Sequence, residues 1–466
     1  MSPEPFHVLV AGAGLAGLSA AFALEARGVR VTVIDARQRV GGRVWTIRDG
    51  FANGQYAEGG ADLLESNQET LLRLVGDLKL ETTRILRRGF GYYGATPRGA
   101  VRIQSMASTF SAVWKAVAPL VADYRLAEHR WDGVIADTIG RRSVADWLRE
   151  IDAAPWLVER FRGLRGLFLA DPEDLSLLAL VDFFAEDPWA GLDHTTRVVG
   201  GNDRIATTLA SRLRQLPRLG TILRRVRQTP KGIVATVDTS SGRSEISAHY
   251  LVSALPASTV RDVAFEPSLP EEQWTAISSL KFGPATRALL QFEGRFWRKA
   301  GRPLAFGSDQ PTGAVWDGNE QQRGQEGILS LLAGGRASAA LQAILKRDGP
   351  EGVVRRLKWL GKPARLTTTH IVQWEQDPWA RGGYAFFDPA FRPRWRAALA
   401  LPAGRVFFAG EHTSNRWQGY MNGAVESGQR AAAEIERFRV AGSAPIPGFL
   451  KHHRNPVSPQ NPEPVR

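Results

Sequence analysis

The 466-residue chain contains no cysteine. Disulfides, cysteine nucleophiles, iron–sulfur clusters, thiolate zinc sites and a cysteinyl-linked cofactor are therefore all excluded. The 8 histidines are scattered, and their one adjacent pair, His452 and His453, lies in a polar tail, so no metal constellation stands out. No apolar run approaches the roughly 20 residues of a membrane span. The first strand pattern starts within about six residues of Met1, which leaves no room for a signal peptide and makes a cytoplasmic protein the expectation. A long basic arm is also missing. The formal net charge is +13, but arginine is dispersed in short groups such as Arg141–Arg142, Arg224–Arg227 and Arg355–Arg356. That pattern reads as a solvated surface, and no nucleic-acid partner is expected. With 43% hydrophobic and 23% charged residues the composition is that of a globular protein, and the length allows two or three domains.

The stretch from His7 to Arg43, HVLVAGAGLAGLSAAFALEARGVRVTVIDARQRVGGR, carries the most information. An apolar run from Val8 to Ala11 reads as a buried strand, Gly12, Gly14 and Gly17 follow at G-x-G-x-x-G spacing, and Leu15 to Arg27 has helical periodicity. Gly12 permits the turn, Gly14 lets backbone approach a pyrophosphate, Gly17 lets helix pack on strand, and unpaired N–H groups at the helix start face the phosphates. Ala13 and Ala16 belong to the same turn. A second strand, Val29 to Ile34, ends at Asp35, whose carboxylate is placed to accept bonds from both hydroxyls of an adenosine ribose. Ala36 and Arg37 join that site; Arg37 would suit a 2′-phosphate, and Asp35 argues against one.

Further along, Gly41-Gly42-Arg43 and Gly59-Gly60-Ala61-Asp62 supply two more small-residue turns, and Gln68 to Leu78 reads as a helix. An Arg beside paired glycines can lie along a pyrophosphate or a flavin edge. Residues 101–215 alternate helical patterns with short breaks and read as a mostly helical insertion. Segments 222–239 and 244–256 read as strands, with Ser253, Ala254 and Pro256 ending a buried strand at a turn. More strands, ATRALLQFE and GILSLLAG, and a helix around Gly352 to Leu360 follow. The last structured part has a strand, Val406 to Ala409, and a long helix from Met421; residues 441–466 read as a Pro-rich, disordered tail. This divides the chain into 1–100, 216–263 and 396–440 for a nucleotide domain, and 101–215 and 264–395 for a second, interleaved domain. The fold class is α/β, α+β overall.

Taken together, the opening fingerprint, Gly41-Gly42-Arg43, AEGGADLLE and the closing FFAGEHT…WQGYMNGAVESGQRAA strongly resemble the flavin-containing amine oxidase family, which includes monoamine and polyamine oxidases. The resemblance runs over most of the chain and implies a Rossmann-type FAD-binding domain with an interleaved substrate domain. It further implies oxidation of an amine to an imine, with hydride passing to flavin N5 and dioxygen leaving as hydrogen peroxide. Residue by residue, it gives Gly12, Gly14 and Gly17 to the pyrophosphate and Asp35 to the ribose, and sets Arg43, Gly59 and Gly60 near the pyrophosphate and isoalloxazine. Val226 would contact adenine, and Gly410 and Glu411 the ribityl or pyrophosphate region. Met421 would offer its backbone N–H to the flavin pyrimidine, at the positive end of a helix. Trp379, Tyr384, Phe386, Trp417 and Tyr420 match the segments that build the family's substrate cage.

Three departures qualify the resemblance. Where covalent-flavin members carry Cys, RGGYAFF has Tyr384 and Ala385, so FAD is expected to bind without a covalent bond. Where many members have a Lys near flavin N5, the position corresponds to Arg287, which puts fast reoxidation by dioxygen in doubt. Asp62 follows Gly60-Ala61 where related amino-acid oxidases have Arg, which disfavours an α-carboxylate substrate and favours a cationic one; Asp62 and Glu65 are equally readable as exposed acids. The alternatives are an FAD-dependent desaturase of an isoprenoid-like substrate and a non-catalytic FAD-binding protein. The expected partners are an amine and dioxygen, and a homodimer stays open.

Overall fold

The computed structural model describes residues 6–95, 101–128, 130–185 and 194–441. The tail read from the sequence as disordered lies outside them, except Ala441. Strand β1 (His7–Ala11), helix α1 (Leu15–Glu25) and strand β2 (Arg30–Ile34) form one β-α-β unit. Their sheet has four strands in the order β2, β1, Tyr250–Ser253, Val406–Phe408, all parallel. All four strands are almost wholly buried, as expected of near-continuous Val, Ile, Leu and Phe. Because they run the same way, their carboxyl ends share one edge. Gly12, Asp35, Ala254 and Ala409-Gly410-Glu411 therefore emerge side by side, although the chain visits them hundreds of residues apart.

Helix α1 is covered by the closing helix Met421–Ala441. The contact is set by two glycines. A Cβ at Gly17 would lie 1.8 Å from the Gly12 carbonyl oxygen, and one at Gly428 would lie 2.1 Å from that of Ala16. Only hydrogen fits at either place, so strand turn, first helix and last helix stack at backbone distance.

A second sheet of Ile222–Thr229, Gly232–Thr239, Gly242–Ala248 and Ala264–Glu266 packs against the parallel one. The third is larger, seven strands in the order Leu366–Gln373, Ala285–Phe292, Gly327–Gly334, Ala314–Asp317, Ala305–Ser308, Phe90–Ala95, Val101–Ser105. Every residue of Ala285–Phe292 is buried, so this strand is the sheet's spine. The chain thus enters this sheet at Phe90, ahead of the boundary at 101 read from the sequence. Residues 101–215 hold the long helix Met106–Leu126 and several shorter ones, with strand at both margins, Val101–Ser105 and Thr196–Val198. The helix read at Gly352 to Leu360 begins sooner, at Arg336, and runs to Arg356 with a kink at Gly349, where φ is 64° and Pro350 follows. That breaker pair hid its first half.

Candidate active site

At the shared edge of the parallel strands lies a cavity of about 350 Å³. One part is lined by Gly12, Gly14, Ala16, Asp35, Ala36 and Arg37, and beside them by Thr221 to Arg224 and Asp262. The Asp35 carboxylate takes the backbone N–H of Ala13 at 2.7 Å and of Arg37 at 2.8 Å, and its burial pushes its pKa up against those bonds. The Arg37 guanidinium turns away to Asp377 at 2.5 Å, so its charge is already matched. Gly14 precedes α1 with no side-chain cap, and a Cβ there would meet nothing nearer than 4.0 Å. The bare N–H groups of the first turn therefore face open space, the arrangement a phosphate needs.

In the middle, Arg43 donates to Glu411 at 2.8 Å and to the Gly383 carbonyl at 2.9 Å. Glu411 also accepts the N–H of Gly419 at 2.8 Å. Burial opposes its charge, but Arg43, His412 and these bonds win and hold its carboxyl below the usual range. Gly410 and Met421 line the wall here, and Met421 opens the closing helix, whose positive end is thus turned to the cavity.

The remaining part is lined by Gly42, Gly60, Ala61, Asp62, Arg287, Trp316, Trp374, Tyr384 and Tyr420. Arg287 donates to Ser330 Oγ at 2.9 Å and to the Gly60 carbonyl at 2.8 Å, and its guanidinium lies 4.8 Å from the Trp316 ring centre. The Tyr384 hydroxyl is held by the carbonyls of Gly166 and Leu167, each at 2.9 Å. Tyr420 meets Trp417 edge-on at 5.5 Å. Burial raises the pKa of both phenols. A second cavity of about 120 Å³ shares Glu65, Leu167, Tyr384, Gln418 and Tyr420 with the first. Its own lining combines aromatic side chains, Trp131, Phe168, Phe183, Phe386 and Trp417, with the polar Asn67, Asp182, Arg396 and Arg416.

A family model, flavin containing amine oxidoreductase, matches residues 15–436. The chain belongs to that family. Amine oxidase [flavin-containing] A of Bos taurus is 28% identical over 93% of this chain and 85% of its own length. Amine oxidase [flavin-containing] B of Homo sapiens is 25% identical over 92% and 85%. Among solved structures, cyclohexylamine oxidase from Brevibacterium oxydans IH-35A superposes with a TM-score of 0.83 at 25% identity, covering 93% of this chain and all of that one. Putrescine oxidase bound to putrescine shares the fold, with a TM-score of 0.79 at 23% identity.

The chain is thus an FAD enzyme, and its residues fit the cofactor: a bare helix N-terminus, the Asp35 carboxylate at the end of its strand and a cleft reaching Tyr420. Lacking cysteine, it holds FAD without a thioether. Among the described residues no three His, Cys, Asp or Glu cluster as metal ligands, and no helix is long and apolar enough to cross a membrane.

The structure sets several of the residues singled out in the sequence behind the cavity lining or in other contacts. Val226 pairs with Ala235 and Phe265 and is buried in the core, because only the amino end of its strand, Thr221 to Arg224, reaches the cavity. Ser253 is the buried last residue of its strand, and Ala254, Leu255 and Pro256 take the wall. Ala13, Gly17 and Gly59 stand behind the lining: Ala13 bonds Asp35, Gly17 backs Gly12, and the Gly59 carbonyl accepts Trp374 Nε1 at 3.0 Å. Trp379 lines the cavity, yet makes no ring contact with Tyr384 or Tyr420; its N–H is held by Asp377 beside Arg37. Asp62 is neither exposed nor free for a cationic substrate. It is buried and bonded by Arg197 through both oxygens and by Trp316 Nε1 at 2.6 Å, with Arg287 at 3.5 Å. Trp316, Trp374 and Arg197 went unread, since each lies in a strand-like run with no motif around it.

Proposed function

We propose that the two cavities are the two halves of one active site. FAD lies along the larger, from Asp35 to Tyr420, and the apolar body of an amine fills the smaller, with its nitrogen at the neck between Tyr384 and Tyr420. The observation that carries this reading is the shared neck: five residues line both cavities, two of them tyrosines fixed in orientation by their contacts. Aromatic faces attract a cation on entry, and a dry site favours its neutral form for reaction. A ring-sized apolar amine suits the Trp and Phe walls of the smaller cavity.

When bound, FAD supplies the oxidant, taking a hydride from the carbon that bears the nitrogen and passing the electrons to dioxygen, which leaves as hydrogen peroxide. The chain's own part is placement. Arg287 fixes Gly60, Arg43 and Glu411 tie Gly383 and Gly419 together, and Tyr384 and Tyr420 flank the substrate. The aromatic rings of Tyr384 and Tyr420 at the neck limit the access of water. The chain acts without nucleic acid, on the reading of its dispersed charge. The test is an anaerobic panel of amines, amino acids and isoprenoids scored by bleaching of the flavin band. Bleaching by apolar amines is expected; bleaching by isoprenoids alone would overturn the reading.

A further inference from the structure

Among the described residues six carboxylates line the two cavities, and five of them have partners. Asp35 takes two backbone N–H groups, Asp62 is matched by Arg197 and Arg287, Asp262 by Arg381, Glu411 by Arg43 and Asp182 by Arg396. Glu65 is the sixth. Among the described residues no cation pairs with it, and its one bond is from the Gln68 side chain. Among the described residues it is also the only acid common to both cavities, so its carboxyl stands at the neck. Two residues on, the Asn67 carboxamide oxygen is buried in the wall of the smaller cavity with no donor. A buried oxygen with no donor, beside a half-buried carboxylate that has one amide donor and no cation, is costly unless a ligand brings N–H groups.

We infer that Glu65 receives the ammonium of the substrate at this neck and takes its proton. The inference rests on the reading that FAD and an amine fill the two cavities. One N–H bond breaks and leaves its electron pair on nitrogen; one O–H bond forms on Glu65; nothing is oxidised in the step. The lone pair so released is what lets the neighbouring C–H bond part with its electrons. Burial pushes the Glu65 carboxyl up to about 7, high enough to hold a proton in a dry neck and low enough to be ionised when an amine arrives. The groups facing it leave that assignment undisturbed. The Tyr384 and Tyr420 phenols stay neutral, Asp182 and Arg396 offset each other, and Arg416 stands on the wall of the smaller cavity.

The test uses the FAD-loaded protein and cumylamine, an amine with no hydrogen on the carbon next to nitrogen, which binds without being oxidised. Calorimetry in buffers of different ionisation enthalpy counts the protons released on binding. At about pH 5.5, with Glu65 protonated, one proton is released per amine; at about pH 8.5, with Glu65 ionised, the proton moves from amine to Glu65 and release falls to none. Glu65→Gln is expected to bind roughly ten- to a hundredfold more weakly at about pH 8.5 and to lose the switch, which Glu65→Asp restores. Should the Gln variant fail to retain FAD, the wild-type proton count alone decides. A count that is the same at both pH values overturns the role of Glu65 and leaves the amine site standing. If wild-type protein neither binds cumylamine nor is bleached by any amine, the reading of the cavities falls, and this inference with it.

Discussion

Arg43 and Glu411, 368 positions apart in the chain, meet at 2.8 Å in the wall of the cofactor cavity. The pair closes the Gly41-Gly42 turn onto the turn at Gly410, and through Gly383 and Gly419 it also fixes the loop that carries Tyr384 and the turn that carries Tyr420. Removing one partner leaves a buried charge unmatched. Arg43→Met should lower stability by about 3 kcal/mol in urea unfolding, and Glu411→Gln added to it should recover part of that loss. Because the pair depresses the Glu411 pKa, its contribution is present above the ordinary carboxylate range and is lost as pH falls through the lowered value. Glu411→Gln should therefore flatten the acid limb of the stability curve.

Glu58 makes the opposite prediction. It is buried against Thr46 Oγ1 at 2.7 Å and the Asn202 N–H at 3.0 Å, with Asp62 nearby, and burial together with that like charge pushes its carboxyl up to about 8. A raised pKa stabilises the fold below the unfolded value of 4.5 and is a growing burden as pH climbs to about 8. Wild-type melting temperature should fall across that window. Glu58→Gln, with the same shape and no charge, should remove most of the fall, read by thermal melts at a series of pH values.

Two glycines in helices should respond in opposite ways. At Gly428 a Cβ would collide with the backbone of Ala16, so Gly428→Ala must push the closing helix off α1 and should cost at least about 3 kcal/mol, together with weaker FAD retention. At Gly76, in Glu69–Asp77, nothing lies within 4 Å of the added methyl. Gly76→Ala should stabilise by up to about 1 kcal/mol. Urea midpoints of the two apoproteins check the pair.

The parts of this molecule that were legible in the sequence are those whose cause is local. Glycine spacing, an apolar run and an acid at a strand end together define the His7–Asp35 unit, and helical periodicity after Met421 defines the closing helix. What was illegible depends on partners far off in the chain. Asp62 looks like one of two loop acids until Arg197, 135 residues away, and Trp316, 254 residues away, are brought to it. Glu65, three positions on, meets no such partner among the described residues. Register was likewise hidden: a strand containing Val226 was visible, but which of its residues face the cavity is fixed by pairing with Gly232–Thr239 and Ala264–Glu266.

The Asp62 cluster yields the last prediction, an order of severity. Arg287 uses a planar fork: one nitrogen on Ser330 Oγ, another on the Gly60 carbonyl, and its face on Trp316. Lysine keeps the charge beside Asp62 but has a single head and no face, so Arg287→Lys should lose one of the two bonds and cost about 2 kcal/mol. Asp62→Asn is worse. It removes the only acid within ion-pair distance of either Arg197 or Arg287 among the described residues and leaves two buried guanidinium groups to repel each other, so about 3–5 kcal/mol should go. Burial already disfavours the charged form of Arg287, and Asp62 is the first group that offsets it. Both variants should be compared by urea unfolding and by the flavin absorption band. Loss of the Gly60 anchor in Arg287→Lys should shift that band with FAD still bound, whereas Asp62→Asn should release FAD. Equal stability in the two would show that the guanidinium fork, and not the buried charge, holds this corner of the site together.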